Sequence, residues 1–212
     1  MQQPALKKTF TYTSIIVGIF GIGLQFILML KSRQLGLPES VVRFFSFFTI
    51  LSNCMTVLYF LALLTPAKSK LYAFANKDEV ATAVSVYMIV VGAVYQTILR
   101  QPIPLQGWPR IADDILHLYM PLVMLAYWVI FFSAKKNDVK TIPYWLIYPA
   151  VYLVYTLLRG SIVHFYPYPF MNVTNLGYQK VLINSGLLVL FFLGLCYVFA
   201  AIANWRYRTN QQ

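Results

Sequence analysis

Six apolar stretches, residues 9–31, 41–64, 80–99, 113–133, 141–160 and 179–203, take up most of this 212-residue chain. Each is close to the roughly 20 residues that a helix needs to cross hydrocarbon. Within a bilayer a helix satisfies every backbone N–H and C=O inside its own segment, so these runs predict an all-α integral membrane bundle of six transmembrane helices. The connections between them are short, which predicts a single domain, 1–212, and no separate soluble module. Hydrophobic residues make up 59% of the sequence and charged ones 11%, whereas about a quarter of a soluble domain is charged. The first run is too long for a signal-peptide core, ends in Leu30-Lys31-Ser32-Arg33 and shows no small-residue cleavage site, so it is expected to stay as the first helix.

The net charge of +11 raises the question of nucleic acid. The basic residues are scattered among tails and short loops, and topology explains them better than a binding face does. Ten of them (Lys7, Lys8, Lys68, Lys70, Lys77, Lys135, Lys136, Lys140, Arg206, Arg208) fall on one side of the expected membrane and seven on the other. That bias predicts a multi-pass protein of the cell (inner) membrane with both termini in the cytoplasm. Cys54 and Cys196 sit in different apolar runs without ligand spacing, so neither a disulfide framework, a metal site nor a cofactor is expected. No internal repeat, heptad seam or phosphate-binding glycine loop stands out, and oligomeric state stays open.

Two connections are rich in proline and aromatic residues. The segment from Arg100 to Arg110 contains Pro102, Pro104 and Pro109 and cannot continue a helix, which predicts a structured interfacial loop. The stretch His164-Phe165-Tyr166-Pro167-Tyr168-Pro169-Phe170 suits an interfacial anchor or a lid over a cavity. Asn172-Val173-Thr174 matches a glycosylation acceptor, a triplet that is common by chance.

Polar residues inside the apolar runs point to function. Arg43, Ser46, Thr49, Asn53 and Thr56 recur through the second run, and Ser46 through Thr56 fall within roughly 80° of one face of a continuous helix. Six residues beyond Arg43, Thr49 would lie about 9 Å deeper. His117, one turn after Asp113, would enter the same leaflet from the fourth helix. On the fifth helix Tyr144, Tyr148, Tyr152, Tyr155 and Arg159 form another stripe, and Arg100 closes the third helix above Tyr95 and Gln96. Each element also has a plainer reading. Hydroxyls in membrane helices often bond the carbonyl one turn back, an imidazole four residues after an aspartate packs against it, tyrosines fill cores, and terminal arginines snorkel. Convergence on one leaflet is what favours a site.

Acyl transfer is the chemistry this set suits. Thr49 would be the nucleophile and His117, the only imidazole within the spans, its general base. Asp113 could orient the ring, and Tyr155, Asn53 or Ser46 could donate to the developing oxyanion. Arg43, Arg100 or Arg159 could hold a substrate carboxylate.

The strings Arg43-Phe44-Phe45-Ser46-Phe47-Phe48-Thr49-Ile50-Leu51-Ser52-Asn53, Leu116-His117-Leu118-Tyr119-Met120-Pro121, Tyr148-Pro149-Ala150-Val151-Tyr152 and Tyr166-Pro167-Tyr168-Pro169-Phe170 resemble the six-helix membrane family of androgen-induced and androgen-dependent TFPI-regulating proteins, nearest its short bacterial relatives. The resemblance implies an intramembrane threonine hydrolase cleaving fatty acid esters of hydroxy fatty acids, with the nucleophile and histidine roles carried onto Thr49 and His117. The alternative is a noncatalytic lipid-binding or regulatory membrane protein that uses the same pocket for an amphiphile. A small-solute or ion transporter comes third, because the spans carry no deep acidic relay.

Overall fold

The computed structural model describes residues 4–100, 105–131 and 139–209. Part of the proline loop (residues 101–104), the end of the fourth run (132–133), and Lys135 and Lys136 lie outside them. All regular structure among the described residues is helical. The helices are α1 (Pro4–Ser32), α2 (Leu37–Phe44), α3 (Phe48–Leu63), α4 (Lys70–Ala75), α5 (Asp78–Val94), α6 (Trp108–Asp114), α7 (Met120–Phe131), α8 (Ile142–Trp145), α9 (Ile147–Val163) and α10 (Val173–Thr209). Five helical stretches are long and apolar enough to cross a membrane, namely Ala5–Ser32, Asp78–Leu99, Trp108–Phe131, Ile142–Val163 and Val173–Thr209. The bent pair α2 and α3 would make a sixth. The chain is thus helical and compatible with a multi-pass membrane protein.

The second apolar run differs from its expected form. Between Phe44 and Phe48 the helix axis turns by 71°, so Arg43 lies before the bend, Ser46 within it, and Thr49, Asn53 and Thr56 after it. The continuous stripe and the 9 Å depth step both assumed a straight helix and do not carry across this corner. On α3 itself the polar face holds together, with Thr49, Ser52, Asn53 and Thr56 all buried.

The chain forms two compact units, Met1–Ser133 and Ala134–Gln212. In the first, α1 packs on α3, α6 and α7, while α3 packs on α5 and α5 on α7. Small residues allow these approaches, as in many membrane helix pairs. A methyl group added at Gly18 would stand 2.6 Å from Val57, and one added at Gly21 would run into Ile115. Phe60, Met88, Met120 and Met124 fill the interior. Ile16, Ile19, Leu58 and Leu122 face outward. A surface as greasy as its core suits hydrocarbon as the solvent.

In the second unit α10 packs on α8 and α9. The fifth run is broken between Trp145 and Ile147, where Pro149 cannot donate to the carbonyl four residues back. α9 ends at His164, which adopts the left-handed conformation (φ 51°, ψ 29°) more often given to glycine. The aromatic segment after it folds onto its own unit. Tyr168 and Phe170 stack at 5.3 Å, Met171 is buried, and the Asn184 amide donates to the Phe170 carbonyl at 2.9 Å. Gly160 makes room for the Tyr166 ring, which a side chain there would meet. Asn172 caps the first turn of α10 by accepting from the Asn175 amide at 3.1 Å, and α10 kinks at Gly177 (φ 73°).

Candidate functional site

The polar centre of the first unit is built on two widened helical turns. α5 runs on as a π turn, Tyr95–Leu99, closed by the Arg100 amide donating to the Tyr95 carbonyl five residues back at 2.8 Å. A second π turn, Ile115–Tyr119, joins α6 to α7, with the Met120 amide bonded to the Ile115 carbonyl. Such turns each carry one extra residue and recur where side chains must be re-aimed at functional positions. Here one turn opens with Tyr95 and the other carries His117, and the two rings stack at 3.8 Å between centroids with planes 16° apart.

Asp113 completes the group. Its carboxylate lies 3.0 Å from His117 Nδ1, and its own carbonyl lies 3.1 Å from the same nitrogen. The Tyr95 phenol interacts with the same carboxylate. Both acid and imidazole are mostly shielded, with side chains 13% and 18% exposed. Two acceptors at Nδ1 favour the tautomer protonated there, which leaves Nε2 with a lone pair for accepting a proton. This is the arrangement by which an aspartate orients a histidine base in hydrolase triads.

α3 is tied directly to this turn. In α geometry the Met120 amide would serve the Leu116 carbonyl, but it is engaged one residue further back. The next amide in line belongs to Pro121, which has no N–H. The Leu116 carbonyl is therefore left without a donor from its own helix, and a buried carbonyl in that state is costly. Asn53 supplies the donor from α3: its Nδ2 lies 3.2 Å from the Leu116 carbonyl and 2.8 Å from the Thr49 carbonyl. The main chain at Thr49 is thereby linked, through one amide, to the residue before His117. The two carbonyl oxygens are no further apart than those two bonds laid end to end.

That linkage changes the role expected of Asn53. Both amide hydrogens already serve carbonyls, so the side chain is a clamp and could act as an oxyanion donor only by giving one of them up. Its Oδ1 is buried and has no hydrogen-bond partner, a state that costs about 1–3 kcal/mol and in native proteins marks either strain or a functional position. Ser46, also buried, sends its hydroxyl to the Val42 carbonyl at 2.7 Å, the back-bonding expected of a helical serine.

The arginines divide between the units. Arg43 pairs with Glu39 at 2.7 Å and Arg110 with Asp114, so each is largely neutralised within its own helix. Arg100 donates to Gln96 at 2.8 Å on an exposed surface. Arg159 belongs to the second unit, where its guanidinium lies over the Phe165 ring at 5.5 Å. The tyrosine stripe there does not form one buried face. Tyr144 precedes the break and is 71% exposed, Tyr155 is 39% exposed, and the buried seam of α9 is Tyr152, Thr156 and Gly160.

Tyr95 and Pro121 are the site residues whose roles sequence reasoning missed. A tyrosine near a helix end reads as an interfacial anchor. Pro121 did carry a legible signal, since a proline four residues after the histidine must free a carbonyl somewhere in that turn. Among the described residues no group of three or more His, Cys, Asp or Glu side chains could hold a metal ion.

The fold and site together define an all-helical, apolar type of protein, several of whose helices are long enough to cross a membrane, with a shielded Asp–His–Tyr cluster joined to a buried threonine–asparagine face. Compared with known proteins, the chain matches no protein-family model, no curated protein and no solved structure.

Proposed function

We propose that this chain is an intramembrane lipid ester hydrolase in which Thr49 is the nucleophile and His117 the general base, acting on fatty acid esters of hydroxy fatty acids or similar amphiphilic esters. The single observation that carries the reading is the Asp113–His117 pair, with Nδ1 held by the carboxylate and the Asp113 carbonyl, tied through Asn53 to the backbone of Thr49. The strings around Thr49 and His117 also resemble the androgen-induced family, from which the nucleophile and histidine roles and the substrate class are carried over.

In this mechanism His117 Nε2 takes the Thr49 hydroxyl proton as the oxygen attacks the ester carbonyl. The tetrahedral intermediate collapses to an ester on Thr49, and His117 returns the proton to the departing alcohol. Water, deprotonated by the same nitrogen, then releases the carboxylic acid and restores the threonine. Asp113 stays ionised and stabilises the imidazolium formed in each step. An apolar surround strengthens that charge pairing and gives acyl chains a solvent.

The bent pair α2 and α3 counts as one crossing in this reading, giving six spans in a cell (inner) membrane with both termini cytoplasmic. Tags at the two ends should be labelled from the same face of sealed vesicles. Labelling from opposite faces would mean an odd number of crossings and a different topology.

Purified protein reconstituted with a long-chain ester should lose roughly two or more orders of magnitude of hydrolysis in Thr49→Ala or His117→Ala while staying folded. An electrophilic serine/threonine-hydrolase probe should form an adduct that Thr49→Ala abolishes. Turnover retained in both variants would overturn the assignment. Tight lipid binding without any adduct would favour the noncatalytic lipid-binding reading.

A further inference from the structure

We propose that Asn53 is a positioning residue that holds the π turn Ile115–Tyr119 open and thereby fixes the His117 ring between Asp113 and Tyr95. The functional meaning of this device rests on the hydrolase reading, although the device itself is a matter of geometry. Four observations lead to it. The Leu116 carbonyl has lost its helical donor to the wide turn and to Pro121. The replacement donor comes from a fully buried amide on another helix, 63 positions earlier in the chain. The wide turn is gripped from a second side by α5, where a methyl group at Gly92 would stand 3.2 Å from Pro121 Cβ and 3.4 Å from the His117 carbonyl. A third side is closed by α1, whose Gly21 lies against Ile115 and Leu116.

Closing this turn to α geometry would bring the Met120 amide to the Leu116 carbonyl, the acceptor that the Asn53 amide occupies instead. Closure would rotate the segments before and after the turn by about 100° relative to each other. Asp113 precedes the turn and α7 follows it, while Tyr95 stands on a neighbouring helix. His117 could not then keep both the aspartate bond and the ring stack. With the clamp in place, the orientation of the ring is set by packing and by a hydrogen bond remote from the imidazole, as preorganised sites require.

The test reads the ring itself. The chain has two histidines, His117 and His164, so the full-length protein in lipid nanodiscs, labelled with 15N-histidine, gives two assignable rings, with His164→Gln identifying the second. In the unsubstituted protein His117 should show the Nδ1-protonated tautomer and ring protons displaced upfield by Tyr95. Asn53→Leu, which keeps the volume and removes the donor, should lose the upfield displacement and give mixed tautomers, with His164 unmoved. Asn53→Ala should do the same and decides the matter where the leucine variant does not fold. Asn184→Leu, which removes an amide–carbonyl bond elsewhere, serves as the control for general loosening and should leave the His117 signals in place. Unchanged His117 signals in the folded Asn53 variants would overturn the proposal, as would the same loss in Asn184→Leu. Because no substrate is involved, a protein without ester turnover but with the Asn53-dependent shift loses the hydrolase reading alone. Turnover without the shift loses the clamp alone. In an active protein kcat should fall by up to about a hundredfold in Asn53→Ala, with KM little changed.

Discussion

In the unit Met1–Ser133 an amide on α3 reaches a carbonyl 63 positions away and the Trp128 indole reaches the Thr82 hydroxyl 46 positions away, each bond joining two different helices. In Ala134–Gln212 the Asn184 amide reaches the Phe170 carbonyl only 14 positions away, holding a loop to the helix that follows it. Both units carry polar side chains at helical spacing. In the first the stripe on α3 is buried and sends the Asn53 amide across to another helix, and in the second the stripe on α9 is split between exposed rings and a narrow seam. Helical periodicity defines a face, and whether that face becomes a site depends on what another helix brings to it.

The largest expected effect that sharpens this contrast is on catalysis. Asp113→Asn should cost roughly a hundredfold or more in turnover, because the amide no longer fixes the Nδ1-protonated tautomer or stabilises the imidazolium. Tyr155→Phe should stay near the unsubstituted rate. Comparable losses in both would break the division, since the second unit would then hold part of the machinery.

Overpacking gives the next test. Gly21→Ala and Gly160→Ala each force a methyl group into an occupied position, against Ile115 and the Tyr166 ring respectively, and each should cost about 1–3 kcal/mol in thermal unfolding in detergent. Gly21→Ala should also depress turnover, because Ile115 opens the turn that carries His117. Equal activity in the two glycine variants, at matched loss of stability, would argue against coupling between that turn and the chemistry.

Single hydrogen bonds come last. Trp128→Phe removes the 3.0 Å bond to Thr82 and should cost about 1 kcal/mol, because the Thr82 hydroxyl keeps its own bond to the Asp78 carbonyl. Asn184→Leu should cost less, since its acceptor lies in a half-exposed segment where water can replace the amide. A larger penalty for Asn184→Leu than for Trp128→Phe would reverse the expected ranking of the two units.

Much of this was legible without coordinates. Thr49, Asn53 and Thr56 sit one turn apart in an apolar run, and polar groups so spaced must share a protein-facing side. The four-residue interval from Asp113 to His117 places one above the other on a helix, and the structure brings them within hydrogen-bonding distance. The bend at Phe45–Phe47 escaped because no proline or glycine marks it. It separates Arg43 from the α3 stripe that a straight helix would have given it. The tyrosine stripe assumes a continuous helix, and the break between Trp145 and Ile147, ahead of Pro149, divides it.

Hydropathy and spacing alone determined that the chain is helical, that its helices are greasy enough for a bilayer, and which residues could share a face, because those properties depend on backbone hydrogen bonding and on local periodicity. The stacking of Tyr95 on His117, the rescue of the Leu116 carbonyl by Asn53 and the change of Asn53 from donor candidate to clamp were decided only by tertiary structure. Each joins residues far apart in the chain, and no local pattern records which helix supplies the missing hydrogen bond when a proline and a widened turn leave a carbonyl without one.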